Sequence, residues 1–331
     1  MTTAIEISRS RNFIDWPGIV GPVLATLLFG VVAGLIDLRL AADMLIYLTL
    51  AQLWNLLSGY AGLVSVGQQA FVGLGGYTFY YVAVGLGAPV LVAVACGGVA
   101  GFLAASVGSI FIFRLKGAYF AIGTWVVAEI CRLTVSITPQ LGGGSGASLP
   151  VSVVKALGAT RGMRDISFLI IAFMLAVVTV SSIVLLLRSR YGIALIAIRD
   201  SERAAEALGV DSLKIKRCVY IGAAFATALI GSLIFLMKLR MTPDAAFSVL
   251  DWTAYVLFIV VIGGSGRLEG PFIGTIVFFV LRAFFAAFGP LYLVILGAVA
   301  VLVMLFAPAG IWGLITKHTG WEIFPVRRRK P

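Results

Sequence analysis

RSRYGIALIAIRDSERAAEALGVDSLKIKR, residues Arg188–Arg217, is the longest polar interruption between two long apolar runs of the chain. It sets seven bases (Arg188, Arg190, Arg199, Arg203, Lys214, Lys216, Arg217) against four acids (Asp200, Glu202, Glu206, Asp211). Its centre carries a short helix with readable ends. Asp200 or Ser201 can accept bonds from the first orphan amides, and Glu202 suits the positive N-terminal end. Ala204, Ala205, Ala207 and Leu208 favour helix, and Gly209 is the residue expected at a left-handed stop. A short capped helix held between two apolar runs is built to be gripped.

The rest of the chain explains what holds it. Of 331 residues, 61% are hydrophobic and 12% charged, and the mean hydropathy is +1.08. A soluble domain has about 45–50% apolar and about 25% charged residues. Apolar stretches of about 20 residues recur throughout, which predicts an all-α polytopic membrane protein without a separate soluble domain. The net charge of +11 and pI near 9.9 come from bases clustered in short loops and tails, the pattern of cytoplasmic loops, and argue no nucleic-acid partner. Cys96, Cys131 and Cys218 are scattered and odd in number, and His318 is the sole histidine, so neither a disulfide framework nor a metal site is expected. The N-terminal MTTAIEISRSRNFIDWPG reads as a cytoplasmic lead-in, with no cleavage site after a short apolar core.

Ten spans are predicted, at about 18–36, 40–57, 60–86, 88–113, 117–137, 166–187, 218–237, 248–264, 271–288 and 291–307. Arg9 and Arg11, Arg114 and Lys116, the 188–217 loop, and Lys317 with Arg327–Lys330 then all fall on one side. The positive-inside rule makes that side, and both termini, cytoplasmic; Lys238 and Arg240, near Asp244, are the exceptions noted outside.

Several spans carry polar groups. LSGYAGLVSVGQQAFVGLGGYT (57–78) is glycine-rich around Ser65, Gln68 and Gln69. Two readings stand: a helix packed closely through small residues, or a broken segment lining a solute path. In the second span, Gln52 and Asn55 are expected to bond between helices. The fifth span, GAYFAIGTWVVAEICRLTVSI (117–137), holds Glu129 and Arg132 on one face at i, i+3, either a functional ionisable site or a self-satisfied pair near the outer end. Arg282, Asp43 and Asp251, near outer ends, invite the same pair of readings. In the glycine-rich Ile262–Gly274 connection, solvation is the plainest expectation for Arg267 and Glu269. The outer loop TPQLGGGSGASLPVSVVKALGATRGMRD (138–165) is either a docking surface or a linker, with a short helix over Val151–Leu157. GxxxG spacings at Gly30–Gly34, Gly97–Gly101 and Gly270–Gly274 are weak signals of helix contact.

No catalytic constellation emerges. GGGSGASLP and GGSGRLEGP lack the lysine and the GK[ST] ending of a Walker A loop, so the chain has no ATPase site of that kind. Transport remains. A capped helix between basic flanks suits a permease driven by separate ATPases, since a rigid element must carry their motion to the spans. A stand-alone carrier or channel using Glu129–Arg132 is the rival, and a scaffold without flux a third possibility.

Four segments in order, WNLLSGYAGLVSVGQQAFVGLGGYT, RDSERAAEALGVDSLKIKR, VVIGGSGRLEGPFIGT and FAPAGIWGL, with the outer GGGSG, make the chain resemble the LivM-type permeases of branched-chain amino acid ABC transporters. The resemblance implies a single permease domain over 1–331 in the bacterial inner membrane, with no cofactor of its own. It implies as partners a LivH-like second permease, two cytoplasmic ATP-binding subunits that use ATP, a periplasmic substrate-binding protein, and membrane lipid. The segment matched by Ser201–Gly209 would contact the ATPase, making Arg199, Ser201, Glu202, Arg203, Ala205, Glu206, Ala207, Leu208 and Gly209 the candidate coupling residues. Gln68, Gln69 and Glu129 are candidates for the solute path. Many LivM-type sequences carry a histidine where this chain has Gly67–Ala70, so urea, short amides or aromatic acids stand beside branched-chain amino acids as cargo.

Overall fold

The computed structural model describes residues 16–319 except 36, 156, 290 and 308. The bases Arg9, Arg11 and Arg327–Lys330, used above for orientation, and the side chain of His318 lie outside the described residues. The chain is helical almost throughout: α1 (Trp16–Gly34), α2 (Leu38–Asn55), α3 (Gln68–Tyr80), α4 (Val90–Ile112), α5 (Ala118–Ser136), α6 (Val151–Lys155), α7 (Arg161–Arg188), α8 (Arg190–Asp200), α9 (Glu202–Ala207), α10 (Ser212–Lys238), α11 (Pro243–Ala246), α12 (Tyr255–Gly263), α13 (Gly270–Phe285), α14 (Leu291–Phe306) and α15 (Gly310–Thr319). Among the described residues seven helical stretches are long and apolar enough to cross a membrane, and the apolar helices Val20–Gly34 and Gly270–Phe285 are shorter. Hydrocarbon offers no partner for a backbone amide or carbonyl, so apolar runs of this length satisfy themselves as helices.

Capping fixes where several begin. The Asp37 carboxylate accepts from the amides of Arg39 and Leu40, at 2.8 and 2.9 Å, and starts α2. Thr160 accepts from the Met163 amide at 3.3 Å to start α7, and Asp211 from the Lys214 amide at 3.0 Å to start α10. At the far end from the 188–217 segment, Ala147–Ser148 pairs antiparallel with Arg240–Met241, and Arg39 is ion-paired with Asp165 at 2.7 Å.

The centre is α10, pressed against α3 and α4. Contact is backbone to backbone: a Cβ at Gly75 would lie 2.0 Å from the Ala228 carbonyl oxygen, and one at Gly231 would lie 2.1 Å from that of Val72. Ser232 donates to the Gly75 carbonyl at 3.0 Å. The Gly97–Gly101 spacing on α4 does mark a helix contact, on Ser232 and Ala228. A second cluster, of Tyr47, Trp252, Tyr255, Phe278 and Phe279, joins α2, α12 and α13 with ring centroids 5.0–6.4 Å apart. By contrast α14 and the outer faces of α1, α4 and α5 leave large apolar side chains exposed, as a surface facing lipid or another membrane subunit does.

Of the two readings offered for the 60–86 span, the structure has the broken one, and two other expectations are corrected. A π turn over Leu56–Tyr60 extends α2, residues 61–67 leave the helix, and α3 begins only at Gln68. Gly62, at φ +68°, permits the break. The span expected at 248–264 is also composite, entered through α11 and a π turn over Leu250–Ala254. The charge asymmetry is weaker than the loop bases alone suggest, because Arg39, Lys155, Arg161 and Arg164 share the far end with Lys238 and Arg240.

Gly231→Val drives a side chain into the Val72 carbonyl, and such overpacking costs about 1–3 kcal/mol or more. The expected outcome is loss of the monodisperse peak on size exclusion in detergent. Gly222→Val, with nothing within 4 Å of its Cβ position, is the control that should purify normally.

Candidate functional site

The 188–217 segment is more structured than a loop with one helix. Its first half, GIALIAI, forms α8, whose apolar run was the missed signal; Leu195 and Ile198 are buried against the bundle. Ser189 caps α8 by accepting from the Tyr191 amide at 3.1 Å. Ser201, of the two caps expected, is the one used. Its amide donates to the Ala197 carbonyl at the end of α8, at 2.9 Å, while its hydroxyl accepts from the Ala204 amide of α9, at 3.4 Å. Gly209, at φ +84°, stops α9 left-handed, its amide donating to Glu206 at 2.9 Å.

This geometry gives α9 an inner and an outer face. Ala205 is buried, and Glu202 pairs with Lys216 on the first turns of α10 at 2.9 Å. Arg203, Glu206, Ala207 and Gly209 are exposed, and Leu208 is 85% exposed. Leu208 is thus a bare apolar side chain on a capped turn ringed by charge.

Arg199 faces the other way. Its Nη1 donates to the Gly59 carbonyl at 2.8 Å, and its Nε and Nη2 reach Asp200 at 3.1 and 2.9 Å. Gly59 lies in the π turn that ends α2, so the guanidinium ties the end of α8 to the start of the break. The 264–268 connection meets the same spot. Asn55 accepts from the Gly266 amide and donates to the Arg267 carbonyl, both at 2.8 Å, and Gln52 donates to the Leu268 carbonyl at 2.8 Å. Gln52 and Asn55 thus bond to a connection rather than a neighbouring helix. Nor are Arg267 and Glu269 simply solvated: Arg267 donates to Thr316 at 2.6 Å, and Glu269 is buried.

Beyond the break the backbone is satisfied by side chains. Trp54 donates to the Ser65 carbonyl at 2.9 Å, and Thr124 accepts from the Val66 amide at 3.0 Å. Gln68 donates to the Leu50 carbonyl at 3.1 Å, and Gln69 accepts from Thr253. Gln68 Oε1 and Gln69 Nε2 are buried without a partner among the described residues. Gln68 borders a cavity of about 10 Å³, the size of one water. Glu129 is not gathered with them. It is held by Arg132 at 2.6 Å, and Arg132 also reaches Asp244 at 2.6 Å, a third member that no local spacing could announce. A larger cavity, about 680 Å³, opens between α2, α7 and α10; its walls are mostly apolar, with Tyr191, Asp211 and Lys214 also lining it.

The family model for the permease component of branched-chain amino acid transport systems matches residues 36–307. The chain is 31% identical over 314 residues, 86% of its own length and 71% of the relative's, to the high-affinity branched-chain amino acid transport system permease protein LivM of Escherichia coli K12. The Salmonella typhimurium protein of that description is 30% identical over the same shares, and a probable LivM of Methanocaldococcus jannaschii is 27% identical over 69% of each chain. No solved structure matches.

Arg199→Met removes the bond between α8 and Gly59 while keeping the aliphatic stem. A hydrogen bond from a charged group contributes about 1.5–3 kcal/mol when buried, and less for this half-exposed side chain. The expected result is a melting temperature lower by several degrees and faster proteolysis between α8 and α10. An unchanged digestion pattern would show that the tie does not hold the segment.

Proposed function

The chain belongs to the permease-component family of branched-chain amino acid transport systems, and on that premise we propose that it is one membrane-spanning subunit of an ATP-driven importer. Its place is the bacterial inner membrane, with the 188–217 end cytoplasmic. Two ATP-binding subunits supply the work, a LivH-like permease completes the membrane part, and a periplasmic protein delivers the cargo, branched-chain or related hydrophobic amino acids.

The observation that carries this reading is the double-faced α8–α9 segment. Its inner face is buried and tied to the π turn of α2, and its outer face presents Arg203, Glu206 and Leu208. A push on α9 therefore reaches the broken helix through α8 and Arg199. Gln68 and Gln69, each with an unpartnered amide atom beside that break, lie next to the solute path, and Glu129 marks its outer approach. The stand-alone carrier gains nothing, because Glu129 and Arg132 close on each other and on Asp244.

Glu206→Ala combined with Leu208→Ala should cut uptake at least tenfold, with the complex still assembled and still hydrolysing ATP. Normal uptake by that double variant would remove α9 from the coupling path. Alanine at Gln68, Gln69 and Glu129 together should change the uptake rate or the preference among amino acids; an unaltered profile returns all three to packing. A mild-detergent pull-down should recover two ATPase subunits and a second permease, and clean recovery of this chain alone, active in liposomes without ATP, would hand the case to a carrier.

A further inference from the structure

The end of the bundle opposite α9 holds a charged pocket that the coupling reading leaves unused. Asp43 in the second turn of α2, Lys238 at the end of α10, Asp251 in the π turn before α12 and Arg282 near the end of α13 line one cavity of about 90 Å³. Two acids and two bases converge there, yet among the described residues no two of them lie within ion-pair distance of each other. Asp43, Lys238 and Arg282 are exposed and Asp251 is half-buried, so the pocket opens to the surface, where water screens its charges from one another. Its walls are ordered. Tyr47 stacks on Trp252 with centroids 6.0 Å apart at 22°, and the Trp252 indole is fixed by donating to the Ala245 carbonyl at 2.8 Å. Lys238 is drawn over the Trp252 ring, 4.8 Å from its centroid, instead of onto a carboxylate.

A free cation or anion meets no net attraction in such a lining, because each sign is matched. A ligand bearing both signs satisfies all four groups at once: an ammonium for the carboxylates of Asp43 and Asp251, and an anionic oxygen group for Lys238 and Arg282. The volume admits several water-sized groups at about 10–15 Å³ each, enough for a small dipolar ion. We propose that this pocket is a binding site for a small zwitterion, with Asp43 and Asp251 reading its ammonium and Lys238 and Arg282 its anionic end. That chemistry has two sources at this boundary, a free α-amino acid and the ethanolamine phosphate headgroup of a lipid. The amino-acid source rests on the transport reading above; the lipid source does not.

The test uses the purified full chain in nanodiscs of phosphatidylglycerol, a lipid without an ammonium. In one arm radiolabelled L-leucine is titrated, with leucinamide, which lacks the carboxylate, and isovalerate, which lacks the ammonium, as competitors. In the other, phosphatidylethanolamine is added and its retention is read by native mass spectrometry. The expected result is saturable binding of one zwitterion per chain, with each single-charge analogue competing at least tenfold more weakly than leucine. Arg282→Gln, and Asp43→Asn with Asp251→Asn, should weaken binding at least tenfold, while Lys238→Arg retains it. Leucine bound without the lipid identifies a solute site, and retained lipid without leucine a headgroup site; both support the pocket. No saturable binding of either probe, leucinamide and isovalerate competing as well as leucine, or wild-type binding by the Arg282→Gln and the Asp43→Asn with Asp251→Asn variants overturns it. Gln68→Ala should leave this binding unchanged, and the conservative Lys238→Arg, which keeps the charge, shows that a loss in the other variants is not misfolding. ATP-dependent uptake by the assembled complex is a separate measurement, so loss of this site and failure of the transport reading are told apart.

Discussion

Backbone groups released inside hydrocarbon must find partners within the protein, and the break between α2 and α3 organises much of this structure around that demand. Leaving the helix over 61–67 frees amides and carbonyls on both sides of the turn. Trp54, Thr124 and Arg199 each take one of them, and Asn55 and Gln52 perform the same service for the 264–268 connection packed alongside. The partners come from α2, α5 and α8, with Trp54 and Arg199 donating and Thr124 accepting, so one local irregularity pulls distant parts of the chain to a single place. An unpartnered group there costs about 1–3 kcal/mol, which makes the junction demanding to alter piecemeal.

The same junction gives α8 and α9 their significance. An amphipathic turn floating between two spans would transmit nothing. Here the end of α8 is bonded to the π turn of α2, and α9 is tied to the base of α10 through Glu202 and Lys216. In the proposed importer, movement of α9 is therefore movement of α2, which leads into the break, and of α10, which packs against α3. The glycine contacts among α3, α4 and α10 make that core stiff, since backbones that touch cannot slide without a carbonyl meeting a neighbour.

Charge is distributed with comparable economy. Near the end opposite α9, Glu129, Arg132 and Asp244 close a triad across α5 and α11, and Arg39 and Asp165 bind α2 to α7. Against these satisfied sets, Asp43, Lys238, Asp251 and Arg282 stand out: they line one cavity beside the stacked Tyr47 and Trp252 rings, with no ion pair among them in the described residues.

The membrane class, most of the spans, the capped turn at Ser201–Gly209 and the Glu129–Arg132 pair were legible in the sequence, because each rests on local chemistry: apolar length, a capping hydroxyl, a glycine at a left-handed stop, an i, i+3 spacing. The family resemblance was likewise carried by contiguous motifs. The sequence did not separate a continuous third span from a broken one, since glycines and glutamines suit both. Nor did it show that Arg199 points into the bundle while Leu208 points out, that Asp244 joins Glu129 and Arg132, or that Asp43 and Arg282 share a pocket. Those facts join residues more than 100 positions apart, or depend on which face of a short helix meets its neighbour. Packing between helices decides them, because only there do a side chain's reach and a freed carbonyl's position become fixed relative to each other.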